Sequence, residues 1–374
     1  MIAVPHAPPF RADQVGSLLR PAHLIEAREQ RRKRLLSDDE LRVIEDEAIR
    51  EVVARQEAAG LRVVSDGEFR RQNYIVDFFR KALGSGGLKA EPGDFVHRNA
   101  RGDTIPVEKL VIHKPLRWTG PIFAEHLAFV RSITQCTPKM TVPSPIVLHF
   151  MGGNDAILRD AYSSLDGFWA DVIEVYRQEF AALHAAGCTY LQIDETSLVK
   201  FGDPEIRAVL ERRGEDWRTL VETYVEVINA VIATAPAGMT VGIHVCRGNR
   251  LGFWQADAGY EFMADQLFRR LDARFYFLEF DSPRAGPIDA LKYMPEDKTV
   301  ALGLVTTKSP DLEQPEMLRA RIQEASAFVS LDRLCLSPQC GFSGNVGNTV
   351  MTADQQFAKL RLLVETARSV WADA

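Results

Sequence analysis

The sequence predicts an α/β fold, a (β/α)8 TIM barrel, on three observations: short β-rich runs recur along the chain, most are separated by segments with helical apolar spacing, and a helical segment closes the series. The runs are 14–17, 61–65, 141–150, 189–194, 240–246, 275–280, 299–304 and 333–337. The helical segments are 38–59, 157–186, 216–235, 262–271, 313–329 and 352–371. The first of them has a legible start, because Ser37 and Glu40 match a capping box and Asp38 and Asp39 suit the helix dipole; Gly60 marks its stop. Residues 81–114 carry GSGG, EPGD and RGD punctuation around two apolar runs, which predicts an extended loop or hairpin laid over one end of the barrel. No fixed-period repeat and no Ser/Gly/Pro linker divides the chain, so 1–374 reads as one domain.

The chain of 374 residues is 46% hydrophobic and 26% charged, enough apolar material for a full core. A net charge of −6, with Lys and Arg scattered, argues against nucleic acid as a partner and for a small-molecule role. No apolar run is long enough to span a bilayer and the N-terminus lacks a signal-peptide pattern, so a cytoplasmic protein with no membrane partner is expected. Five widely spaced cysteines, Cys136, Cys188, Cys246, Cys335 and Cys340, do not read as a disulfide framework. They are packing residues or ligands.

Strand parity singles out two of them. In Ile243-His244-Val245-Cys246 the two polar side chains leave the strand on one face. Glu279 ends an apolar strand, where a lone carboxylate is costly to bury and calls for a cation. Cys340 follows the last strand, so His244, Cys246, Glu279 and Cys340 all fall at the C-terminal ends of barrel strands, the face on which barrel enzymes keep their sites. Thiolate, imidazole and carboxylate together suit Zn2+ better than calcium or magnesium. The plainer alternatives are a core histidine beside a buried cysteine, and an ion pair of Glu279 with Arg247 or Arg284.

These residues lie in a set of motifs, in chain order ADQVGSLLRP, VSDGEFRR, LQIDETSL, HVCRGN, FLEFDSPRAG, LGLVTTKSP and SPQCGF. Together they resemble the cobalamin-independent methionine synthase family, more closely its short single-barrel members than the long two-barrel enzymes. The resemblance implies a 5-methyltetrahydropteroyltriglutamate-homocysteine S-methyltransferase-like activity, in which zinc binds the homocysteine sulfur and that sulfur attacks the methyl group of methyltetrahydrofolate, forming methionine. It places Glu68 and Asp194 around the substrate ammonium and Ser17 near the substrate carboxylate. The residues alone allow a helix N-cap for Asp194 and a salt bridge to Arg70 or Arg71 for Glu68. Two positions depart from the family pattern: Lys308 stands where the long enzymes have a histidine thought to protonate the leaving nitrogen, and Gln14 where short relatives often have histidine. Lys308 can donate a proton, but its reference pKa of about 10.4 makes it a weak acid unless desolvated.

Three readings follow. The first is methyl transfer to homocysteine from methyltetrahydrofolate or a methylated corrinoid carrier. The second is alkyl transfer to a different thiol, such as a sulfonate-bearing one opening an epoxide, for which Arg20, Arg70, Arg71 or Arg247 would supply the charge. The third is a non-catalytic zinc-binding barrel, against which stands a ligand set drawn from distant strands. Trp118, Phe150, Trp254 and Phe342 are candidates for stacking on a pterin, though such aromatics more often fill cores.

Overall fold

The computed structural model describes residues 10–347 and 350–374. Its strands, among the described residues, are β1 (Val63–Val64), β2 (Leu88–Arg98), β3 (Thr104–Ile112), β4 (Thr137–Pro138), β5 (Met140–Pro143), β6 (Tyr190–Glu195), β7 (Thr240–Val245), β8 (Phe275–Glu279), β9 (Thr299–Val305) and β10 (Leu334–Pro338). The α-helices are α1 (Ala22–Arg32), α2 (Asp38–Ala58), α3 (Val76–Leu83), α4 (Ala124–Ile133), α5 (Val147–Leu158), α6 (Leu165–Ala185), α7 (Pro204–Arg212), α8 (Trp217–Ile232), α9 (Pro315–Ala325) and α10 (Ala353–Val370).

Strands β5 to β10 form one parallel sheet in sequence order, as right-handed crossovers through buried helices require. The ring closes through shorter links. β1 pairs with β4 in parallel, Leu18 N donates to Gly67 O at 3.0 Å, and Ala12 bridges Leu336 of β10. The result is the expected TIM barrel. The capping box of α2 is present, with Ser37 Oγ accepting from Glu40 N at 3.2 Å and Glu40 Oε2 from Ser37 N at 2.8 Å.

Several expected elements differ. Residues 14–17 form no regular strand; Gly16 sits at φ +140°, and a Cβ there would lie 2.6 Å from Thr141 Cγ2, so the backbone turns where a strand would run on. The run 141–150 stops at Pro143, and Val147 to Phe150 are helical; Pro143 and Pro145 remove the donors a longer strand needs. The segment 157–186 is two helices, because Ser164 caps α6 anew by accepting from Gly167 N at 3.4 Å. In place of the helix at 262–271 stand a 3-10 turn, Glu261–Met263, and a π-helical turn, Asp265–Arg270. The punctuated insertion is an antiparallel hairpin of β2 and β3, whose turn is Asn99–Asp103.

Below the barrel mouth the interior is packed by Phe10, Val15, Tyr190, Phe275 and Phe277. Among them lies a fully buried ion pair, Lys139 Nζ to Asp13 Oδ1 at 2.8 Å, with Tyr190 OH also donating to Asp13 at 2.5 Å. The Lys139 ammonium lies 4.2 Å from the Phe277 ring centre. Removing one partner strands the other in an apolar layer. Asp13→Ala should therefore lower unfolding stability by about 3–5 kcal/mol, measured as a shift of the urea midpoint, whereas Asp13→Leu combined with Lys139→Met should lose much less.

Candidate active site

The strand ends bring together the residues that the sequence marks. His244 sits on β7 in register with Asp194 of β6, Cys246 follows β7, Glu279 ends β8, and Cys340 follows β10. One ligand atom from each of His244, Cys246, Glu279 and Cys340 lies within 4.8 Å of every other, a group able to hold a metal ion. The two sulfurs are 3.6 Å apart.

The electrostatics of this cluster ask for a cation. The neighbouring Cys340 thiol and burial push the Cys246 thiol well above its ordinary range, because two thiolates side by side repel. Burial alone would raise Glu279, but Lys308, Arg247, Arg284 and His244 outweigh it and hold the carboxyl down at about 2. Glu279 is thus an ionised carboxylate, with Arg284 Nη2 3.4 Å and Arg247 Nη1 3.7 Å from Oε2. Neither ring nitrogen of the buried His244 has a hydrogen-bond partner of good geometry among the described residues. Unsatisfied buried imidazole, paired thiols and an ionised carboxylate match the donor set of a tetrahedral N/S/O metal site.

Beside the cluster opens a cavity of about 320 Å³, lined by Ser17, Glu68, Asp194, His244, Cys246 and Cys340 among others. Glu68 is a buried non-glycine residue at φ +62°, a costly conformation that aims its side chain at the cavity. Its Oε1 accepts from Thr141 Oγ1 at 2.8 Å, and its Oε2 has no hydrogen-bond partner among the described residues. Asp194 accepts from Gln192 Nε2 at 2.7 Å. Burial, with the Glu68 charge in the same sense, raises the Asp194 carboxyl to about 7 against the pull of His244. Ser17 reaches the site because Gly341 makes room for it: a Cβ on Gly341 would lie 2.1 Å from Ser17 Oγ. Its carbonyl accepts from Phe342 N at 2.9 Å, tying the first barrel segment to the Cys340 loop.

The sequence-predicted proton donor is placed differently. Lys308 is not among the described residues that line the cavity; its buried Nζ has no hydrogen-bond partner among them, and it heads the cations that act on Glu279. The buried amide of Gln14 also has no partner among the described residues and is absent from the lining. Of the aromatic candidates, Phe150 lines the cavity, stacked on Phe95 of the hairpin at 5.0 Å. Trp118 donates to Glu179 and Phe342 packs in the cluster of α2 and α10.

Sequence reasoning missed Lys200, His97 and Gln255, which also line the cavity. Lys200 is 3% exposed, and burial lowers its ammonium to about 8 against the pull of Cys246 and Glu195. A lysine inside the apolar run Leu198-Val199-Lys200-Phe201, six residues after Asp194, was the available signal. His97 comes from the hairpin, whose distance along the chain hides it. The hairpin is fastened to the metal-ligand loop: Arg98 N donates to Trp254 O at 2.7 Å and Trp254 N to Arg98 O at 2.9 Å.

Residues 10–369 match the family model described as the catalytic domain of cobalamin-independent synthase. The chain belongs to that family. Within the cobalamin-independent synthases it is similar to the Bacillus subtilis protein YxjG, which carries no assigned function, at 39% identity over 97% of this chain and 95% of that protein. It is 23% identical to a methionine synthase of Thermococcus kodakarensis, over 87% of this chain and 85% of that one. A Listeria monocytogenes crystal structure, provisionally named a vitamin-B12-independent methionine synthase, superposes with a TM-score of 0.74 at 31% identity, covering 98% of this chain and 99% of that one. The family is one of methyltransferases of methionine biosynthesis built on a TIM barrel. Among the described residues no helix is long and apolar enough to cross a membrane.

A carboxyl raised in the folded state binds a proton there that the unfolded chain has already released. The raised Asp194 and Glu195, each at about 7, therefore lower the stability of the metal-free protein as pH rises from about 4 to about 7. Asp194→Asn should flatten that decline, read as melting temperature against pH; a parent-like slope would show that Asp194 does not titrate in this range.

Proposed function

We propose that this chain is a zinc-dependent S-methyltransferase that takes homocysteine as its thiol and forms methionine, with methyltetrahydrofolate or a methylated corrinoid carrier as donor. The observation that carries this reading is the convergence of His244, Cys246, Glu279 and Cys340 on one point beside a cavity that also presents the Glu68 and Asp194 carboxylates. His244, Cys246, Glu279 and Cys340 would hold the zinc, which would lower the pKa of a bound substrate thiol so that it is a nucleophilic thiolate near neutral pH.

The rest of the work belongs to the chain. Glu68, with a free oxygen, and Asp194 bind and orient the substrate ammonium, and binding of that cation favours the ionised form of Asp194. Ser17 faces the substrate carboxylate. Displacement at a methyl carbon needs alignment more than acid or base, and the stacked Phe95 and Phe150 give the donor side of the cavity an apolar wall that excludes water. In this reading Lys308 helps to keep Glu279 ionised rather than reaching the departing group.

A sulfonate-bearing thiol gains little from the four arginines named from the sequence, and Lys200 and Arg250 are the cations that line the cavity. The arginines that could bind one are already engaged: Arg20 with the carbonyls of Ser343, Glu68 and Arg71, Arg70 with Asp46, and Arg247 with Ala258 O and Tyr260 OH. Arg71 lies over the Phe123 ring at 4.0 Å and donates to Thr141 Oγ1. A purely structural zinc would have no use for the cavity.

Zinc-loaded protein should convert homocysteine to methionine with one of these donors, and failure with folate, corrinoid and small methyl donors alike would refute the proposal. A charge-assisted contact contributes about 1.5–3 kcal/mol, so Asp194→Asn should weaken homocysteine binding by roughly 10–150-fold in calorimetry while leaving the zinc content unchanged.

A further inference from the structure

The candidate metal ligands come from β7 and the loop after it, from β8 and from the loop after β10, while β9, which lies between β8 and β10, supplies none. What β9 supplies is spacing. A Cβ on Gly303 of β9 would lie 2.8 Å from Gln339 Cα and 3.3 Å from Glu279 Cα, so glycine there lets the two ligand-bearing chains close over the strand. Past the strand end Thr307, 3% exposed, takes hold of the residues on either side of Cys340. Its N donates to Gln339 Oε1 at 2.6 Å, and its Oγ1 lies 2.9 Å from the same oxygen and 3.4 Å from Gly341 O. The same Oγ1 accepts from Asn249 Nδ2 at 2.9 Å, and that nitrogen also donates to Gly341 O at 3.1 Å. Gln339 N adds a bond to Val305 O at 2.9 Å. A threonine hydroxyl gives one hydrogen while accepting another, and an asparagine amide gives two, so every bond in the set has its own hydrogen. Asn249 stands three residues after Cys246, and the set is therefore a clasp that runs from the Cys246 loop through Thr307 to both flanks of Cys340.

We propose that Thr307 is a positioning residue of the metal centre: through Asn249 and Gln339 it sets the separation of the Cys246 and Cys340 sulfurs, so that an ion meets two thiols already spaced for it. This rests on the metal-binding part of the reading above, and adds to it a residue that is itself no ligand and is absent from the described cavity lining. Two sulfurs at 3.6 Å repel each other once ionised, and loops free to move would part to relieve that repulsion. Ordering such loops at each binding event costs the conformational freedom of their backbones. The clasp places that cost in folding, and the affinity for the ion rises by the cost avoided. Neighbouring Lys308 acts on the centre by charge, whereas Thr307 acts on it by distance alone.

Two probes test this on the full chain. Zinc affinity is measured by competition with a chromophoric chelator, and the spacing of the sulfurs in metal-free protein by affinity for phenylarsine oxide, which forms two As–S bonds with neighbouring thiols and releases water. Thr307→Val, close to the parent in shape, removes the hydroxyl and should weaken both probes by about 10–100-fold, the scale for residues that orient metal ligands. Thr307→Ser keeps the hydroxyl and should keep most of the affinity. In cobalt-substituted protein the sulfur-to-cobalt absorption bands should shift in Thr307→Val and stay in place in Thr307→Ser, a signature that a loss of stability does not produce. Asn249→Ala opens the same clasp from the Cys246 side, and the double variant should lose less than the sum of the two single losses. Parent-like affinity for either probe in whichever of Thr307→Val and Asn249→Ala folds, or a loss that Thr307→Ser shares in full, overturns the assignment. Failure of the parent to bind zinc overturns the metal reading instead, and the arsenical comparison still judges the clasp.

Discussion

Two thiols held 3.6 Å apart, contributed by loops 94 residues apart in sequence, are the constraint around which the mouth of this barrel is organised. The neighbouring thiol and burial push the Cys246 thiol well above its ordinary range. Around this pair Glu279 is kept ionised by Lys308, Arg247 and Arg284, and neither ring nitrogen of His244 has a hydrogen-bond partner of good geometry among the described residues. Bringing Cys340 to Cys246 requires the ring to close, which the bridge from Ala12 to Leu336 and the contact of Ser17 with the Cys340 loop accomplish.

The parts of this that were legible in the sequence are those governed by local rules. Parity on a strand put His244 and Cys246 on one face, and the position of Glu279 and Cys340 after apolar runs put them at the same end. The capping box of α2 was readable for the same reason. What local rules do not reach is long-range closure. Gly16 looked like part of a strand until the approach of Thr141 showed that its backbone must turn, and the helical residues 147–150 looked like strand because a buried helix is as apolar as a buried strand. Lys200 and His97 were invisible as site residues because the first sits in an apolar run and the second arrives on a hairpin. Lys308 shows the converse. A motif position carried over from relatives pointed to the leaving group, whereas Lys308 is outside the described cavity lining and its charge acts on Glu279.

The cavity is lined by carboxylates, Glu68 and Asp194, and also by the buried Lys200. The carboxylates suit the ammonium of an amino-acid thiol, and the stacked Phe95 and Phe150 join the hairpin to the barrel. The hairpin supplies Phe95 and His97 to the cavity and is tied through Arg98 to the loop after β7, the loop that begins with Cys246.

The most direct test of the central claim is X-ray absorption at the zinc edge of the loaded protein, with and without homocysteine. The account predicts a first shell of two sulfurs and two light atoms that gains a sulfur when homocysteine is added, and loses one of its own sulfurs in Cys340→Ser. A first shell that homocysteine leaves unchanged, or one that retains both sulfurs after Cys340→Ser, would contradict it.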